Sequence, residues 1–335
     1  MHYRYGSEAG GWSAEEAFTV MDPSVERVTM VAFGDMGVHH SDASVQHWDS
    51  PQSRNTTDAL RARLDAGAGD AGSLVLHFGD VSYAVGYASQ WEHFMNQIEP
   101  VARRVPWMVA EGNHERCWPG TGSRGETDSG GECSVPFRAR FPMPWKDPRA
   151  PWYSFELGKM HVAVLATELD APAQNAWLAA DLAAVDRART PWVVVATHRP
   201  LYISSTSTGG VWDDQDVAAV LRAQLEALLL RYGVDLVLSG HHHSYQRTCP
   251  IAHGRCVPRG AGGVVYVVAG MAGFGTTFNV QEPQPEVFEV VDVEHHGFTT
   301  VSVSADSLVL RYYGGSDAAL LDTLELSKNP GGGGR

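Results

Sequence analysis

In VTMVAFGDMG, residues 28–37, a largely apolar run leads directly into Gly34 and Asp35, and this pattern is the first indication of the fold. The pattern returns in SLVLHFGDVSY, residues 73–83, where the run ends at Gly79 and Asp80. Apolar runs of this length, rich in β-branched residues, are typical of strands buried on both faces of a sheet. Glycine after such a strand permits a tight exit turn. The two stretches therefore predict buried strands that carry acidic side chains at their ends.

Three more apolar runs also end in polar residues. These are PWMVAE before Gly112-Asn113-His114-Glu115, PWVVVAT before His198, and VDLVLS before Gly240-His241-His242-His243. Helical patterns lie between the runs, at roughly 56–66, 89–104, 173–189 and 214–232. Alternating strands and helices predict an α/β domain with much parallel sheet, and ligands bind at the carboxyl ends of such strands. We expect all five strand ends to meet at one edge.

The side chains at these ends suit metal ions. Asp, Tyr, Asn and His offer oxygen and nitrogen ligands for Fe, Zn or Mn, and they outnumber the needs of one ion. Two ions about 3.5–4 Å apart form a clamp for displacement at phosphorus, with a metal-bound hydroxide as the nucleophile. Taken singly, each motif is more often a turn or a structural residue. The hypothesis depends on all five occurring in order.

Composition limits the other classes of function. The 335 residues carry a formal net charge of −14, with 44% hydrophobic and 19% charged residues. This balance is typical of a globular protein, and the acidity argues against a nucleic-acid groove binder. No apolar run is long enough for a membrane span. The first residues lack the apolar core of a signal peptide, so the protein is not exported or the chain is a fragment.

The chain divides by pattern into a catalytic part at 25–285, a β-rich part of the same domain at 286–328, and a Gly-rich tail at 329–335 that we expect to be disordered. Four cysteines form two near pairs in Gly/Pro-rich loops, Cys117 with Cys133 and Cys249 with Cys256. They predict two disulfides and an oxidising compartment. The alternative is four free thiols. A sequon at Asn55 permits N-glycosylation.

The motif set GDMG, GDVSY, GNHE, an isolated His after a strand, and GHHH resembles the metallophosphoesterase superfamily. Tyr83, at the end of GDVSY, narrows the resemblance to the purple acid phosphatases. The likeness extends to SVQHW, DSGGEC, RFPMPW, WYSFELG and HHHSYQRTC, covers about 28–325, and is nearest to the large plant-type form. It implies a four-layer αββα sandwich with a binuclear metal site. Residues 1–20 then look like the remnant of an N-terminal β-sandwich domain.

The resemblance also implies roles for the residues at the strand ends. A ferric ion would be bound by Asp35, Tyr83 and His243. A divalent ion (Zn, Mn or Fe) would be bound by Asn113, His198 and His241. Asp80 would bridge the two ions. His114 would face the substrate phosphate or the leaving group, with orientation of a metal ligand as the alternative role.

Three further residues are weaker candidates for substrate contact. They are Arg199, which can instead pair with an acidic neighbour, Tyr202, and His39, which can instead lie in a solvated loop. One departure from the family concerns the segment 203–209, which has no histidine where many purple acid phosphatases place one or two. The metal positions are intact, and the departure bears on leaving-group protonation and substrate preference: either His114 acts alone, or a hydroxyl or water substitutes for the missing histidine.

The expected activity is hydrolysis of phosphate monoesters by a metal-bound hydroxide at an Fe(III)–M(II) centre, acting on small-molecule esters. The alternatives are a phosphodiesterase or nucleotide pyrophosphatase on the same site, and a catalytically impaired metal-binding homologue. Ser82-Tyr83-Ala84 stands where Ser/Thr protein phosphatases usually carry Asp-Arg-Gly, which disfavours that class. The paired cysteines and the family favour a secreted or vacuolar location.

Overall fold

Two large β-sheets lie face to face between layers of helices. The computed structural model describes residues 1–18, 26–40, 48–67, 73–210 and 213–328. The predicted tail at 329–335, the end of the 1–20 segment and most of SVQHW lie outside these ranges. Numbered along the chain, the strands are β1 (His2–Tyr3), β2 (Gly6–Ser7), β3 (Gly11–Trp12), β4 (Glu16–Ala17), β5 (Val28–Phe33), β6 (Leu74–Phe78), β7 (Trp107–Ala110), β8 (Tyr153–Leu157), β9 (Met160–Val164), β10 (Trp192–Ala196), β11 (Leu236–Ser239), β12 (Tyr245–Thr248), β13 (Ile251–Ala252), β14 (Arg255–Cys256), β15 (Val265–Ala269), β16 (Phe288–Asp292), β17 (Gly297–Val303), β18 (Ser307–Gly314) and β19 (Leu320–Ser327).

The helices are α1 (Pro51–Asp65), α2 (Ala88–Ala102), α3 (Asn113–Arg116), α4 (Val135–Arg140), α5 (Pro172–Ala184) and α6 (Asp214–Arg231). The four predicted helical patterns are present with shifted ends. α1 begins earlier than predicted because Pro51, which has no N–H to lose, starts its first turn. α5 ends earlier because Val185 takes an extended conformation.

Among the described residues, one sheet has the order β19-β18-β17-β5-β6-β7 and the other β16-β12-β15-β11-β10-β9-β8. β5, β6 and β7 run parallel, as do β9, β10, β11 and β15. The C-terminal strands β17, β18 and β19 join the first sheet in antiparallel pairing through β5. The carboxyl ends of the parallel strands of each sheet therefore lie at one edge.

Alternate residues of each strand enter different cores. Met30 of β5 and Val194 of β10 belong to the core between the sheets. Val31 packs with Trp91 of α2 on the outer face of the first sheet. Val195 packs with Leu221 of α6 on the outer face of the second sheet. This alternation produces the helix–sheet–sheet–helix order, so the predicted four-layer αββα sandwich is confirmed.

The N-terminal segment lies against the end of α2. β1 and β4 pair in antiparallel fashion, and the Tyr3 hydroxyl donates a hydrogen bond to the Arg103 carbonyl at 2.8 Å. Arg103 also forms an ion pair with Glu16 at 3.0 Å. That this segment is part of a β-sandwich stays a prediction. In the described part of the chain, no helix combines the length and apolar character that crossing a membrane requires.

One of the two predicted disulfides is present and the other is not. Cys249 and Cys256 are joined across the β13–β14 hairpin. The predicted bond between Cys117 and Cys133 is wrong, because both are free thiols in the described structure. The Cys117 side chain is buried and donates to the Arg124 carbonyl and, at 3.2 Å, to the Glu168 carboxylate. Its thiol therefore belongs to a polar cluster that Cys133 does not join.

An ion pair joins β12, next to the edge strand β16 of the second sheet, to the edge strand β19 of the first sheet. Arg247 of β12, in the second sheet, donates to Asp322 of β19, in the first sheet, at 2.6 and 3.1 Å. The Tyr245 hydroxyl donates to the same carboxylate at 2.7 Å. Burial raises the pKa of Asp322, but these hydrogen bonds and the Arg247 charge outweigh burial and lower that pKa below its ordinary value.

The variant Asp322→Ala tests this link. We expect a loss of about 2–3 kcal/mol in the free energy of unfolding at neutral pH, the usual cost of removing hydrogen bonds to a charged group. Because the folded-state pKa of Asp322 is lowered, its contribution is present above about pH 4 and is lost as pH falls through the folded value. Urea denaturation at neutral and at acid pH measures the difference.

Glu325→Ala is the control, since Glu325 is an exposed carboxylate on the same strand. An equal effect of the two substitutions, or a deficit in Asp322→Ala that grows in acid, would contradict the assigned ion pair.

Candidate metal centre

The candidate side chains of both sheets lie at the strand ends predicted from the sequence. Asp35 follows β5, Asp80 follows β6, and Asn113 begins α3 just after β7. From the second sheet, His198 follows β10 and His241 follows β11. Because the sheets pack face to face through a shared core, these ends meet at one edge of the sandwich.

The loops after the strands adopt unusual backbone conformations. Asp35, Asp80, Tyr83 and His241 have φ values of 61°, 49°, 51° and 70°. Non-glycine residues rarely occupy this left-handed region, at a cost of about 1–3 kcal/mol each, and such residues cluster at functional sites. Glycine is needed where the loops touch: a Cβ at Gly79 would lie 2.3 Å from Nδ1 of His198.

One group of donor atoms comes from both sheets. The structure places oxygen or nitrogen atoms of Asp80, His198 and His241 within 4.8 Å of one another. Oδ1 of Asn113 joins this group, at 2.9 Å from Nε2 of His198 and 3.0 Å from Nδ1 of His241. Nε2 of His198 is also 3.4 Å from Oδ1 of Asp80. These are the residues predicted for the divalent ion, together with the predicted bridge.

A second group lies beside the first. It contains Asp35, Asp80 and His243, whose donor atoms again lie within 4.8 Å of one another. The Tyr83 hydroxyl joins it, at 2.9 Å from Nε2 of His243 and 3.2 Å from Oδ1 of Asp35. These are the residues predicted for the ferric ion. Asp80 is the member common to both groups.

The charges in this cluster act strongly on one another. Burial raises the pKa of Asp80, but the positive charges of His198 and His114 outweigh burial and hold it well below the usual range. Burial lowers the pKa of His198, but the Asp80 carboxylate outweighs burial and raises it to about 10. Burial and the carboxylates of Asp35 and Asp80 raise the pKa of Tyr83 well above its ordinary value.

The donor set fits two cations. Asp35 and Asp80 are completely buried or nearly so, and a buried carboxylate needs a positive partner. Three oxygens and one imidazole form the group around Asp35, whereas two imidazoles and two oxygens form the group around His198. Both donor sets suit cations such as Fe and Zn. A cation beside Tyr83 would also reverse the local field and favour the ionised phenol. The purple acid phosphatase type of binuclear centre is therefore compatible with these residues.

Sequence reasoning missed Glu115, which organises the loops. Its carboxylate accepts hydrogen bonds from the backbone N–H groups of Asp80, Val81 and Gly112, at 2.9, 2.8 and 2.9 Å. Burial and the nearby Asp80 charge raise the pKa of Glu115 to about 8, against the lowering effect of these hydrogen bonds. The only signal in the sequence was the presence of Glu115 as the fourth residue of GNHE, which is equally compatible with an exposed glutamate in the first turn of α3.

His114 lies at the mouth of the cluster. Its side chain is 20% exposed and its Nε2 is 3.9 Å from Oδ2 of Asp80. Its Nδ1 is 3.0 Å from the Asp128 carbonyl, which fixes the ring. Trp48, 36% exposed, packs edge-on against His114 with the ring centres 5.6 Å apart. Phe274, also missed from the sequence, stacks on Tyr83 at 3.8 Å.

The three weaker candidates for substrate contact have different surroundings. Arg199 is buried and pairs with Glu168 at 2.9 Å, as its alternative interpretation predicted, and its Nη1 also lies 3.2 Å from Nε2 of His241. Tyr202 is not brought to the cluster, because its hydroxyl donates to Glu226 at 2.8 Å. His39 is partly exposed and bonds to Asp49.

The sequon residue Asn55 lies within α1, where its side-chain amide donates to Gln52. The hydroxyl of Thr57, which completes the sequon, is buried and donates to the Ser53 carbonyl at 3.0 Å. Glycosylation at Asn55 stays a prediction.

Comparisons with known proteins identify the family and the fold. Residues 28–245 match the calcineurin-like phosphoesterase family, and residues 263–323 match the family described as iron/zinc purple acid phosphatase-like protein C. The structure of a purple acid phosphatase from yellow lupin (Lupinus luteus) seeds superimposes with a TM-score of 0.88 at 32% identity, covering 98% of this chain and 59% of that one.

Two curated relatives carry different names. "Probable inactive purple acid phosphatase 27" of Arabidopsis thaliana is 36% identical over 90% of this chain and 50% of its own length. The nucleotide pyrophosphatase/phosphodiesterase of Hordeum vulgare is 34% identical over 91% of this chain and 84% of its own length. The chain spans about half the length, 50% to 54%, of the first Arabidopsis relatives it matches.

The motifs that suggested the resemblance thus occur in a chain whose fold superimposes on a purple acid phosphatase and whose family matches cover most of its length. This chain belongs to the calcineurin-like phosphoesterases and, within them, to the purple acid phosphatase family.

Proposed function

We propose that the protein is an acid phosphatase that hydrolyses small phosphate monoesters at a binuclear Fe(III)–M(II) centre, with M being Zn, Mn or Fe. The observation that carries this proposal is the position of Asp80, whose carboxylate belongs to both groups of donor atoms. A single carboxylate shared by two groups is what a pair of closely spaced cations requires.

Asp35, Tyr83 and His243 would hold the ferric ion, Asn113, His198 and His241 the divalent ion, and Asp80 both. When bound, the two cations would supply Lewis-acid charge to the phosphoryl oxygens and lower the pKa of a water molecule. Two carboxylates and an ionised phenol contribute three negative charges, against five positive charges from a trivalent and a divalent ion. The excess positive charge attracts an anionic ester into an acidic protein.

His114 is the side chain proposed to handle the leaving group. Its ring lies at the mouth, and its backbone N–H donates to Oδ1 of Asp80 at 2.9 Å, so its position is fixed relative to the bridging carboxylate. A proton on Nε2 can bond to a phosphoryl oxygen or pass to the departing oxygen. The segment 203–209 supplies no histidine to share this work.

A phosphodiesterase acting on nucleotides is the second candidate. The barley relative carries such a name and is matched over most of its length. In addition, Trp48 offers a partly exposed indole next to His114, and base–aromatic stacking contributes about 1–3 kcal/mol. The third candidate, a catalytically impaired metal-binding protein, is motivated by the relatives named inactive. Retained metal without turnover of any phosphate ester would favour it.

A secreted or vacuolar location is proposed as well. The Cys249–Cys256 disulfide supports it, since disulfides persist in oxidising compartments.

The metal centre is tested by elemental analysis and a visible spectrum. We expect about two metal ions per chain, one of them iron, and a visible absorption band from the Tyr83–ferric pair. Tyr83→Phe should lose the band while remaining folded by circular dichroism. Tyr153→Phe is the matched control, because Tyr153 is a buried tyrosine whose hydroxyl donates to the Val109 carbonyl outside the cluster. A colourless wild type reconstituted with iron, or a band that survives in Tyr83→Phe, would contradict the assignment.

The role of His114 is tested by His114→Asn. We expect kcat for an alkyl phosphate such as glycerol phosphate, whose leaving alkoxide needs a proton, to fall about 100-fold or more, as on removal of a general acid. Metal content and colour should remain unchanged, because the His114 ring is not among the predicted ligands. His295→Asn, at an exposed histidine paired with Asp292, provides the control. Wild-type kcat in the His114 variant would refute the role.

Recognition of a nucleotide substrate is tested by Trp48→Ala. If the indole stacks on a nucleobase, KM for thymidine 5′-p-nitrophenyl phosphate should rise about tenfold, equivalent to roughly 1.4 kcal/mol. KM for methyl p-nitrophenyl phosphate, which lacks the base, should not change. Trp12→Ala alters an exposed tryptophan of the N-terminal segment and serves as the control. Equal effects on both substrates would argue against nucleotide recognition.

A further inference from the structure

Three histidines of the two donor groups, His198, His241 and His243, differ in which ring nitrogen faces the cluster. Nδ1 of His198 lies 3.0 Å from the Phe78 carbonyl, and Nδ1 of His243 lies 2.6 Å from the Gly275 carbonyl. Both rings therefore present Nε2 to the cluster. His241 is turned the other way: its Nδ1 faces Asn113, and its Nε2 lies 3.3 Å from Oδ1 of Asp214.

The rear nitrogen of His241 has two charged neighbours of opposite sign. Nη1 of Arg199 lies 3.2 Å from Nε2, and a guanidinium can only donate a hydrogen bond. If Nε2 accepts a hydrogen bond from Arg199, the neutral His241 ring carries its proton on Nδ1. That proton then points at Oδ1 of Asn113. If Nε2 instead carries the proton, it donates to Asp214 and the lone pair of Nδ1 faces the cluster. Arg199 and Asp214 thus favour opposite tautomers.

Asp214 is itself fixed in place. It is the first residue of α6, and its Oδ2 accepts a hydrogen bond from the Ser205 hydroxyl at 2.6 Å. Its side chain is only 15% exposed. The carboxylate therefore needs no rearrangement to receive the proton of Nε2. Arg199 is also fixed in place, because its Nε lies 2.9 Å from both carboxylate oxygens of Glu168.

We infer that Asp214 is a positioning residue for His241, which selects the tautomer able to bind the divalent ion through Nδ1. Histidine ligands commonly donate their second N–H to a carboxylate, and loss of that partner weakens metal binding about 10–100-fold. This inference rests on the proposed metal centre. It adds that Asp214 sets the affinity of the divalent position for its metal ion and does not affect the affinity of the ferric position.

The experiment uses the protein loaded with iron and zinc. Zinc affinity is measured by competition with a chelator, and the iron position is followed by its visible band. Asp214→Asn is nearly isosteric and can still accept from Ser205, but it lacks the charge that attracts the Nε2 proton. We expect zinc to bind about 10–100-fold more weakly in this variant, with the visible band unchanged.

Asp216→Asn is the matched control. Asp216 lies in the same first turn of α6 and bonds to the Gly209 N–H, so its substitution changes the charge at the helix start equally. It should bind zinc as the wild type does. Ser205→Ala removes the hydroxyl that holds Asp214 and should weaken zinc binding by a smaller factor, which provides a second test that leaves the carboxylate present.

The outcomes are distinct. Wild-type zinc affinity in Asp214→Asn would overturn the inference while leaving the metal centre intact. Equal weakening in Asp214→Asn and Asp216→Asn would also overturn it, because the effect would then be one of helix charge. A wild-type protein that binds no metal pair would instead refute the proposed function itself.

Discussion

The carboxylate of Asp80 imposes the main constraint on this structure, because it lies in reach of donor atoms from two separate groups. The backbone of Asp80 has a left-handed conformation just after β6, and the preceding Gly79 lies against His198. The Asp80 carboxylate accepts a hydrogen bond from the backbone N–H of His114, which follows β7. The sandwich brings the sheets together so that β10 and β11 face β5, β6 and β7 at this point. The apolar core therefore does more than stabilise the fold, since it sets how closely the donor atoms of the two sheets approach one another within each group.

Concentrating so many polar groups away from water is costly, and the surrounding hydrogen bonds show how that cost is offset. Glu115 satisfies three backbone N–H groups of the strand-end loops, and Glu168 holds the buried Arg199 beside His241. Buried ionic groups are tolerated only where each has partners, and removing one partner leaves an uncompensated charge. Bound cations would complete this network by neutralising the carboxylates and the phenol. The same arrangement helps to hold the left-handed backbone conformations of Asp35, Asp80, Tyr83 and His241.

The sequence was informative where a functional residue directly follows a buried strand, since strand ends in a parallel sheet must share an edge. Asp35, Asp80, Asn113, His198 and His241 are all of this kind. Asp214 and Phe274 could not be found in that way, because one begins a helix and the other lies in a long loop, and only the tertiary fold brings them to the site. The Cys117–Cys133 pairing failed for a related reason: separation along the chain says nothing of where a side chain points, and the Cys117 thiol is directed into a cluster with Glu168. Tyr202 likewise turns towards Glu226.

The most direct test of the account is the location of the metal ions by anomalous X-ray diffraction from crystals of the loaded protein, with data collected at the iron and zinc edges. We expect two peaks about 3.5–4 Å apart, iron beside Tyr83 and zinc beside His241, with the Asp80 carboxylate in contact with both. A single ion, or a pair that Asp80 does not touch, would contradict it.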